Sequence, residues 1–291
     1  MKKFHQTPSI IPSILRALFL PRKKLQPGES LPRLAAELIT VRIDKLHLSR
    51  YRMLCGIPEN NFLPLLYPHV LAAPLHMWLI THPEFPLRLL GAVHLRNHII
   101  QQRPIGIHET LTISCAIISE RRTEKGLEFD FTTLVQSDND IVWEGLTTYF
   151  LRGKFGPEDT ASPLAELEKI SAADTIAVWN VSDTIAKRYA VITQDYNPIH
   201  ISKWLAKLFG FQRDLAHGFC VLATSLEKAG IKTVGDDGNP HRLDVLFKGP
   251  MYLGTIATLK RLGERLDLYC GDNERPSLCI AIKPVECNTR L

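Results

Sequence analysis

Residues 189–200 read Y-A-V-I-T-Q-D-Y-N-P-I-H. Within six positions they present a carboxylate, an amide and an imidazole, at Asp195, Asn197 and His200. A proline between the amide and the imidazole fixes one backbone angle and stiffens the turn. A carboxylate and an imidazole held this close can move a proton on and off a water molecule. The stretch therefore predicts a site for general acid–base chemistry.

A second functional group follows in residues 216–219, which read A-H-G-F. Gly218 stands just before an apolar run, residues 219–229, that predicts a buried helix ended by Gly230. The first N–H groups of a helix have no partner within the helix, so they can bind an oxyanion. An acid–base pair together with an oxyanion donor suits a reaction beside a carbonyl group.

The pattern D-x-N-P-[apolar]-H followed by A-H-G resembles the signature of the MaoC-like, R-specific enoyl-CoA hydratases, over about residues 175–265. The resemblance implies the hot-dog fold, in which a long antiparallel sheet wraps one apolar helix. It also implies reversible addition of water to trans-2-enoyl thioesters of coenzyme A or acyl carrier protein, giving R-3-hydroxyacyl thioesters without a cofactor or metal. The chain departs at Gln194, where the family usually has glycine.

The resemblance also assigns roles to individual residues. Asp195 and His200 are the expected catalytic pair that holds the water, and the Gly218 N–H is the expected oxyanion hole. Three further residues are expected to bind substrate or orient the loop: Asn197, His217 and Tyr189.

Other interpretations of these residues remain open. Asp and Asn beside proline are ordinary turn residues. A thioesterase of the same fold would use a carboxylate to direct water at the carbonyl, and a non-catalytic acyl-binding protein would need no proton transfer at all. In the first half of the chain, His94 and His98 alternate on one predicted strand face. They are expected to face solvent or core more than a substrate tunnel.

The order of predicted elements occurs twice. Y-P-H-V-L-A-A-P-L, from Tyr67, aligns weakly with A-H-G-F-C-V-L-A-T, from Ala216, and each is followed by β-rich runs. The fold class predicted is α+β, a double hot-dog with two long antiparallel sheets, each around an apolar helix. The predicted division is an extension at 1–40, a half without the motif at 41–152, a linker at 153–173 and the catalytic half at 174–291.

Composition limits the partners and the compartment. The formal net charge of +5 is mildly basic and no arginine-rich tract occurs, so nucleic acid is not an expected partner. Such a surface suits an acyl-CoA or an acidic carrier. The six cysteines form no C-x-x-C pair, which favours a reducing, cytoplasmic location, and three are expected in the core: Cys115, Cys220 and Cys279. A homodimer is an open alternative to a single chain.

Two apolar stretches resemble membrane segments. Residues 9–20 contain Pro12 and Arg16 and predict a short amphipathic helix, not a signal peptide. Residues 60–83 carry no Lys, Arg, Asp or Glu, but Pro64, Pro68 and Pro74 interrupt them. A buried, proline-kinked core helix is therefore expected there, and no stable membrane insertion.

Overall fold

The computed structural model describes residues 1–9, 12, 13, 16, 25, 26, 28–87, 92–157, 173–231, 240–286 and 289–291. Most of the expected helix at 9–20 and of the expected linker at 153–173 lies outside these residues.

In the described part of the first half, the named elements are the strands of a sheet and two helices. Its strands are β1 (Lys2–Phe4), β2 (Ala35–Val41), β3 (Val93–Gln101), β4 (Leu111–Thr123), β5 (Gly126–Ser137) and β6 (Asp140–Arg152). Its helices are α1 (Lys45–Cys55) and α2 (Tyr67–Ile80). Strands β1 and β2 both belong to this sheet, since β1 pairs with β2 and β2 pairs with β4, and β1 and most of β2 lie inside the stretch predicted as an extension.

The second half repeats this plan with more helix around the motif. Its strands are β7 (Asp174–Asn180), β8 (His241–Phe247), β9 (Ile256–Leu262), β10 (Arg265–Cys270) and β11 (Leu278–Pro284). Its helices are α3 (Ile185–Thr193), α4 (Pro198–Ile201), α5 (Lys203–Leu208) and α6 (Gly218–Lys228).

The two half-sheets join edge to edge into one sheet of 11 strands, in the order β1-β2-β4-β5-β6-β3-β8-β11-β10-β9-β7. The junction is the antiparallel pairing of β3 with β8, from Arg96 opposite Leu246 to Gln101 opposite His241. The double hot-dog prediction is thus confirmed. The pairing also satisfies two strand edges that would otherwise be exposed.

Helix α2 is the proline-containing core helix that the sequence predicts. It carries Pro74 in its interior and buries Leu75 and Leu79 completely, and it packs against β4, β5 and β2. Across the described residues, none of the helices combines the length and apolar character needed to traverse a bilayer.

Helix α1 ties the first half to the second. His47 Nδ1 lies 2.7 Å from the Tyr67 hydroxyl oxygen, and His47 Nε2 lies 2.8 Å from the carbonyl oxygen of Ile192 in α3. Tyr51, fully buried in α1, packs its ring against Tyr189 at 6.4 Å between centroids. The end of α3, from which the D-x-N-P-x-H loop departs, is therefore held by both halves.

The core prediction for three cysteines is confirmed. The expected core cysteines are buried, and all five described cysteines are free thiols.

Candidate active site

The loop that carries the motif begins with a left-handed residue. Helix α3 ends at Thr193, and Gln194 follows with φ of 58°. Glycine adopts this conformation without steric cost, whereas other residues adopt it under mild strain. Gln194 therefore makes the tight left-handed turn that a glycine at this position would make without strain.

Local hydrogen bonds fix the residues after Gln194. The Asn197 N–H donates to Asp195 Oδ1 at 3.1 Å. The Asn197 side chain in turn accepts the Ile199 N–H and caps the short helix α4, whose first residue is Pro198. Asn197 thus orients the loop through both its backbone and its side chain.

The two histidines of the motifs lie against each other beside Asp195. The rings of His200 and His217 stack with centroids 3.8 Å apart. His217 Nε2 lies 3.0 Å from the backbone oxygen of Asp195 and 3.7 Å from its Oδ2. Tyr189 packs its buried ring 5.1 Å from that of His217. The structure therefore brings together every side chain that the resemblance selects.

Backbone carbonyls determine which ring nitrogens carry hydrogen. His200 Nδ1 lies 3.0 Å from the carbonyl of Leu215, and a carbonyl only accepts, so Nδ1 carries the proton. In the neutral ring, Nε2 of His200 is then an acceptor. By the same argument His217 donates from Nε2 to the carbonyl of Asp195. A buried His217 Nδ1 has no partner among the described residues.

This proton arrangement suits a water molecule. Asp195, His200 and His217 each offer one oxygen or nitrogen atom, and these atoms lie within 4.8 Å of one another. A metal ion can also be bound by such a group of atoms. However, the His217 Nε2–H is occupied by a backbone carbonyl. That leaves the Asp195 carboxylate and His200 Nε2, two acceptors that can receive both hydrogens of one water and leave its oxygen lone pair free.

The ionisation states agree with this arrangement. Burial lowers the pKa of His200 below its usual value, although Asp195 opposes the shift. Burial and the neighbouring His200 lower the pKa of His217 to about 3. Burial would raise the pKa of Asp195, but His217, His200 and the Asn197 N–H outweigh it and lower it. Near neutral pH the site holds a carboxylate and two uncharged imidazoles.

Gly218 is the first residue of α6, so its N–H has no acceptor within that helix. A β-carbon at this position would come within 2.5 Å of the Phe247 ring. Only glycine allows Phe247, at the end of β8, and the first residue of α6 to approach each other so closely. The expected oxyanion donor therefore lies at a helix N-terminus backed by an aromatic ring.

The first half contributes aromatic rings to the same region. His94 on β3 lies 5.0 Å from Phe219, 4.8 Å from Phe247 and 5.1 Å from Tyr149, measured between centroids. His69, near the repeat-equivalent of Gly218, stacks on Phe219 at 4.0 Å. Burial is the larger cause of the raised pKa of Tyr149, and the Asp195 carboxylate adds to it. This tyrosine therefore lies within the electrostatic reach of Asp195.

The expectation that His94 and His98 share one strand face is wrong. A β-bulge between His94 and Arg96 shifts the alternation of β3 by one residue. His94 consequently faces the rings around α6, while His98 faces the other side and pairs with Asp244 at 2.6 Å. Nothing in the strand's sequence marks the bulge, and for this reason sequence reasoning missed His94 and Tyr149 as neighbours of the site.

The buried histidines predict acid sensitivity. Burial lowers the pKa of His94 and of His217 to about 3, and that of His76 to about 4, from 6.5. Between pH 6.5 and about 4, the unfolded chain binds protons on these histidines that the folded chain does not bind. We expect the free energy of unfolding to be greatest above pH 6.5 and to fall as the pH drops towards 4.

Chemical denaturation at a series of pH values measures this dependence. His76→Gln, which keeps a donor for Thr133 but cannot titrate, is expected to make the dependence shallower. A free energy of unfolding that stays constant through the window would contradict neutral burial of these rings.

Known proteins are similar to this chain in sequence and in fold. The 3-hydroxyacyl-thioester dehydratase X of Mycobacterium tuberculosis is 31% identical over 252 residues, which are 87% of this chain and 88% of the relative. The chain belongs to the MaoC-like dehydratase family. The sequence profile described as MaoC like domain matches residues 168–259, the part that contains both motifs.

Two further comparisons extend the family relation. The crystal structure of HtdX from Mycobacterium tuberculosis matches this MaoC-like chain with a TM-score of 0.73 at 28% identity, covering 87% of this chain and 100% of that one. The peroxisomal enoyl-CoA hydratase 2 of Arabidopsis thaliana is 27% identical over 155 residues, 49% of this chain and 50% of the relative. Since the named relatives are a dehydratase and a hydratase, this MaoC-like protein is an enzyme of the hydro-lyase class.

Proposed function

We propose that the protein adds water reversibly to trans-2-enoyl thioesters and forms R-3-hydroxyacyl thioesters. The observation that carries this proposal is the pair of acceptors, the Asp195 carboxylate and His200 Nε2, beside the N-terminus of α6. The relatives' names, 3-hydroxyacyl-thioester dehydratase X and enoyl-CoA hydratase 2, support the same reaction.

In the proposed mechanism, one water donates its two hydrogens to Asp195 and His200 Nε2. Its oxygen bonds to the β-carbon of the enoyl group, and one of the two acceptors takes a proton. That group then delivers a proton to the α-carbon, so atoms and charge balance without a cofactor. As the carbon–oxygen bond forms, the thioester oxygen becomes negative and accepts the Gly218 N–H.

The uncharged state of His200 matters to this mechanism. An imidazolium would donate from both nitrogens and could not accept a hydrogen from water. Burial keeps the pKa of His200 below its usual value, so the accepting form is present near neutral pH. Tyr189 and His217 act as supports, because His217 holds the Asp195 backbone and Tyr189 packs on His217.

The acyl chain is proposed to lie between the halves, near the N-termini of α2 and α6. His69, from α2, and Phe219, from α6, stack on each other there.

We also propose the division of the chain into a first half that shapes this tunnel and a catalytic half at 174–291, with β2 added to the first half. The five free cysteines support a reducing, cytoplasmic setting.

Crotonyl-CoA tests the proposed function. We expect the enoyl absorbance to fall at a rate proportional to the enzyme concentration, while no free thiol appears. A fall in absorbance matched by an equal release of free thiol would instead establish the thioesterase alternative, because hydrolysis also destroys the conjugated enoyl thioester. Saturable binding without either change would establish an acyl-binding protein without catalysis.

A further inference from the structure

Four large side chains next to the candidate site are exposed to solvent. Trp204 exposes 68% of its area, Leu208 79%, Tyr196 46% and Leu205 41%. We call these four residues the Trp204 patch. All lie within 13 consecutive positions, 196–208. Clustered apolar exposure of this kind marks interaction surfaces more often than single exposed residues do.

The charged side chains within residues 196–212, Lys203 and Lys207, are both positive. The ammonium groups of Lys203 and Lys207 lie 5.6 Å and 5.4 Å from the centroid of the Trp204 indole ring. No Asp or Glu occurs anywhere in residues 196–212. The patch is therefore apolar at its centre and positive at its edge, which is complementary to an acidic surface that carries apolar side chains.

The Trp204 patch is also mechanically joined to the proposed catalytic loop. On the inner side of α5, Ala206 is fully buried in a small cluster with Ile199 and Leu215. His200 follows Ile199 directly, and its Nδ1–H donates to the carbonyl of Leu215. The same few residues thus hold His200 on one side and present Trp204 and Leu208 on the other.

We propose that the Trp204 patch docks an acidic acyl carrier protein, which delivers the enoyl group on its phosphopantetheine arm. This proposal rests on the proposed hydratase function and adds the carrier to it. Coenzyme A brings phosphates and one adenine ring, which would cover Trp204 at most and leave Leu208 exposed. A carrier helix with acidic and apolar side chains covers both leucines and pairs with both lysines.

The test compares two carriers with one acyl group. Steady-state kcat/KM is measured with crotonyl-CoA and with crotonyl acyl carrier protein for the full chain. One variant reverses charge, Lys203→Glu with Lys207→Glu, and a second removes apolar area, Trp204→Ser with Leu208→Ser. The matched control, Lys125→Glu with Lys283→Glu, makes the same charge change at two exposed positions, in the turn between β4 and β5 and on β11.

We expect each patch variant to lower kcat/KM about tenfold with the carrier-protein substrate and about twofold or less with crotonyl-CoA. The control is expected to match the wild-type protein on both substrates. Added salt should weaken the carrier-protein reaction of the wild-type protein and have little further effect on the charge-reversed variant.

Other outcomes would overturn the proposal. Equal losses on both substrates would assign the Trp204 patch to the shared phosphopantetheine arm or to folding of the loop, and a loss confined to crotonyl-CoA would assign it to the nucleotide of coenzyme A. Unchanged rates on both would leave it without a carrier role, and binding to anionic vesicles that is lost in the Trp204→Ser, Leu208→Ser variant would make it a membrane contact. A wild-type protein inactive on both substrates would refute the hydratase function itself, whereas activity with no difference between variants refutes only the docking.

Discussion

We expect Asp195→Asn to lower kcat for crotonyl-CoA hydration by about 100-fold or more, the contribution typical of a general acid–base group. The amide has nearly the shape of the carboxylate, and its oxygen can still accept the Asn197 N–H that fixes the loop. It cannot take a proton from water. The loss is therefore expected in kcat, with little change in the free energy of unfolding.

Steady-state kinetics together with circular dichroism and chemical denaturation measure this effect. Asp272→Asn, an exposed substitution in the turn between β10 and β11, is the matched control and should behave as the wild-type protein. Turnover within a few-fold of wild type in the folded Asp195→Asn protein would remove Asp195 from the proposed mechanism.

We expect His200→Asn and His200→Ala to reduce kcat to a similar extent, by about 100-fold or more. The Asn amide occupies the position of Nδ1, so it can still donate to the Leu215 carbonyl while Nε2 is lost. The Ala variant loses both groups. Equal losses would therefore place the effect on Nε2, the nitrogen proposed to accept from water.

The alternative for His200 is a purely structural role. In that case the Asn variant should retain most of the activity, because the bond to Leu215 survives. His98→Asn, a substitution on the other face of the sheet, controls for removal of an imidazole. The Asp195→Asn, His200→Asn double variant should be about as slow as either single variant, since both groups act on the same water.

The sequence motif predicted much of the site because its residues are close in the chain. Asp195, Asn197 and His200 occupy one capped loop, and the helix start at Gly218 was readable from the apolar run that follows it. The order of strands in both halves was likewise readable from alternating β-rich runs. Local patterns of this kind carry their own structural information.

Other features depend on contacts that no local pattern records. The β-bulge that turns His94 towards Phe219 is a property of the pairing between β3 and β6. The joining of β3 to β8, and the contact of His47 with the carbonyl of Ile192, connect residues about 145 positions apart. Most of β2 lies inside the predicted extension at 1–40, and its place in the sheet depends on pairing with β4, which follows about 75 residues later.

The configuration of the product tests the central claim most directly. Asp195 and His200 approach from one loop, and the Gly218 N–H would fix the carbonyl, so water and proton should add to the same face of the enoyl group. Crotonyl-CoA is hydrated to equilibrium and the product is given to an S-specific 3-hydroxyacyl-CoA dehydrogenase with NAD. The account predicts the R product and almost no NADH. Rapid and extensive NADH formation would show the opposite hand and would contradict the proposed R-specific hydration.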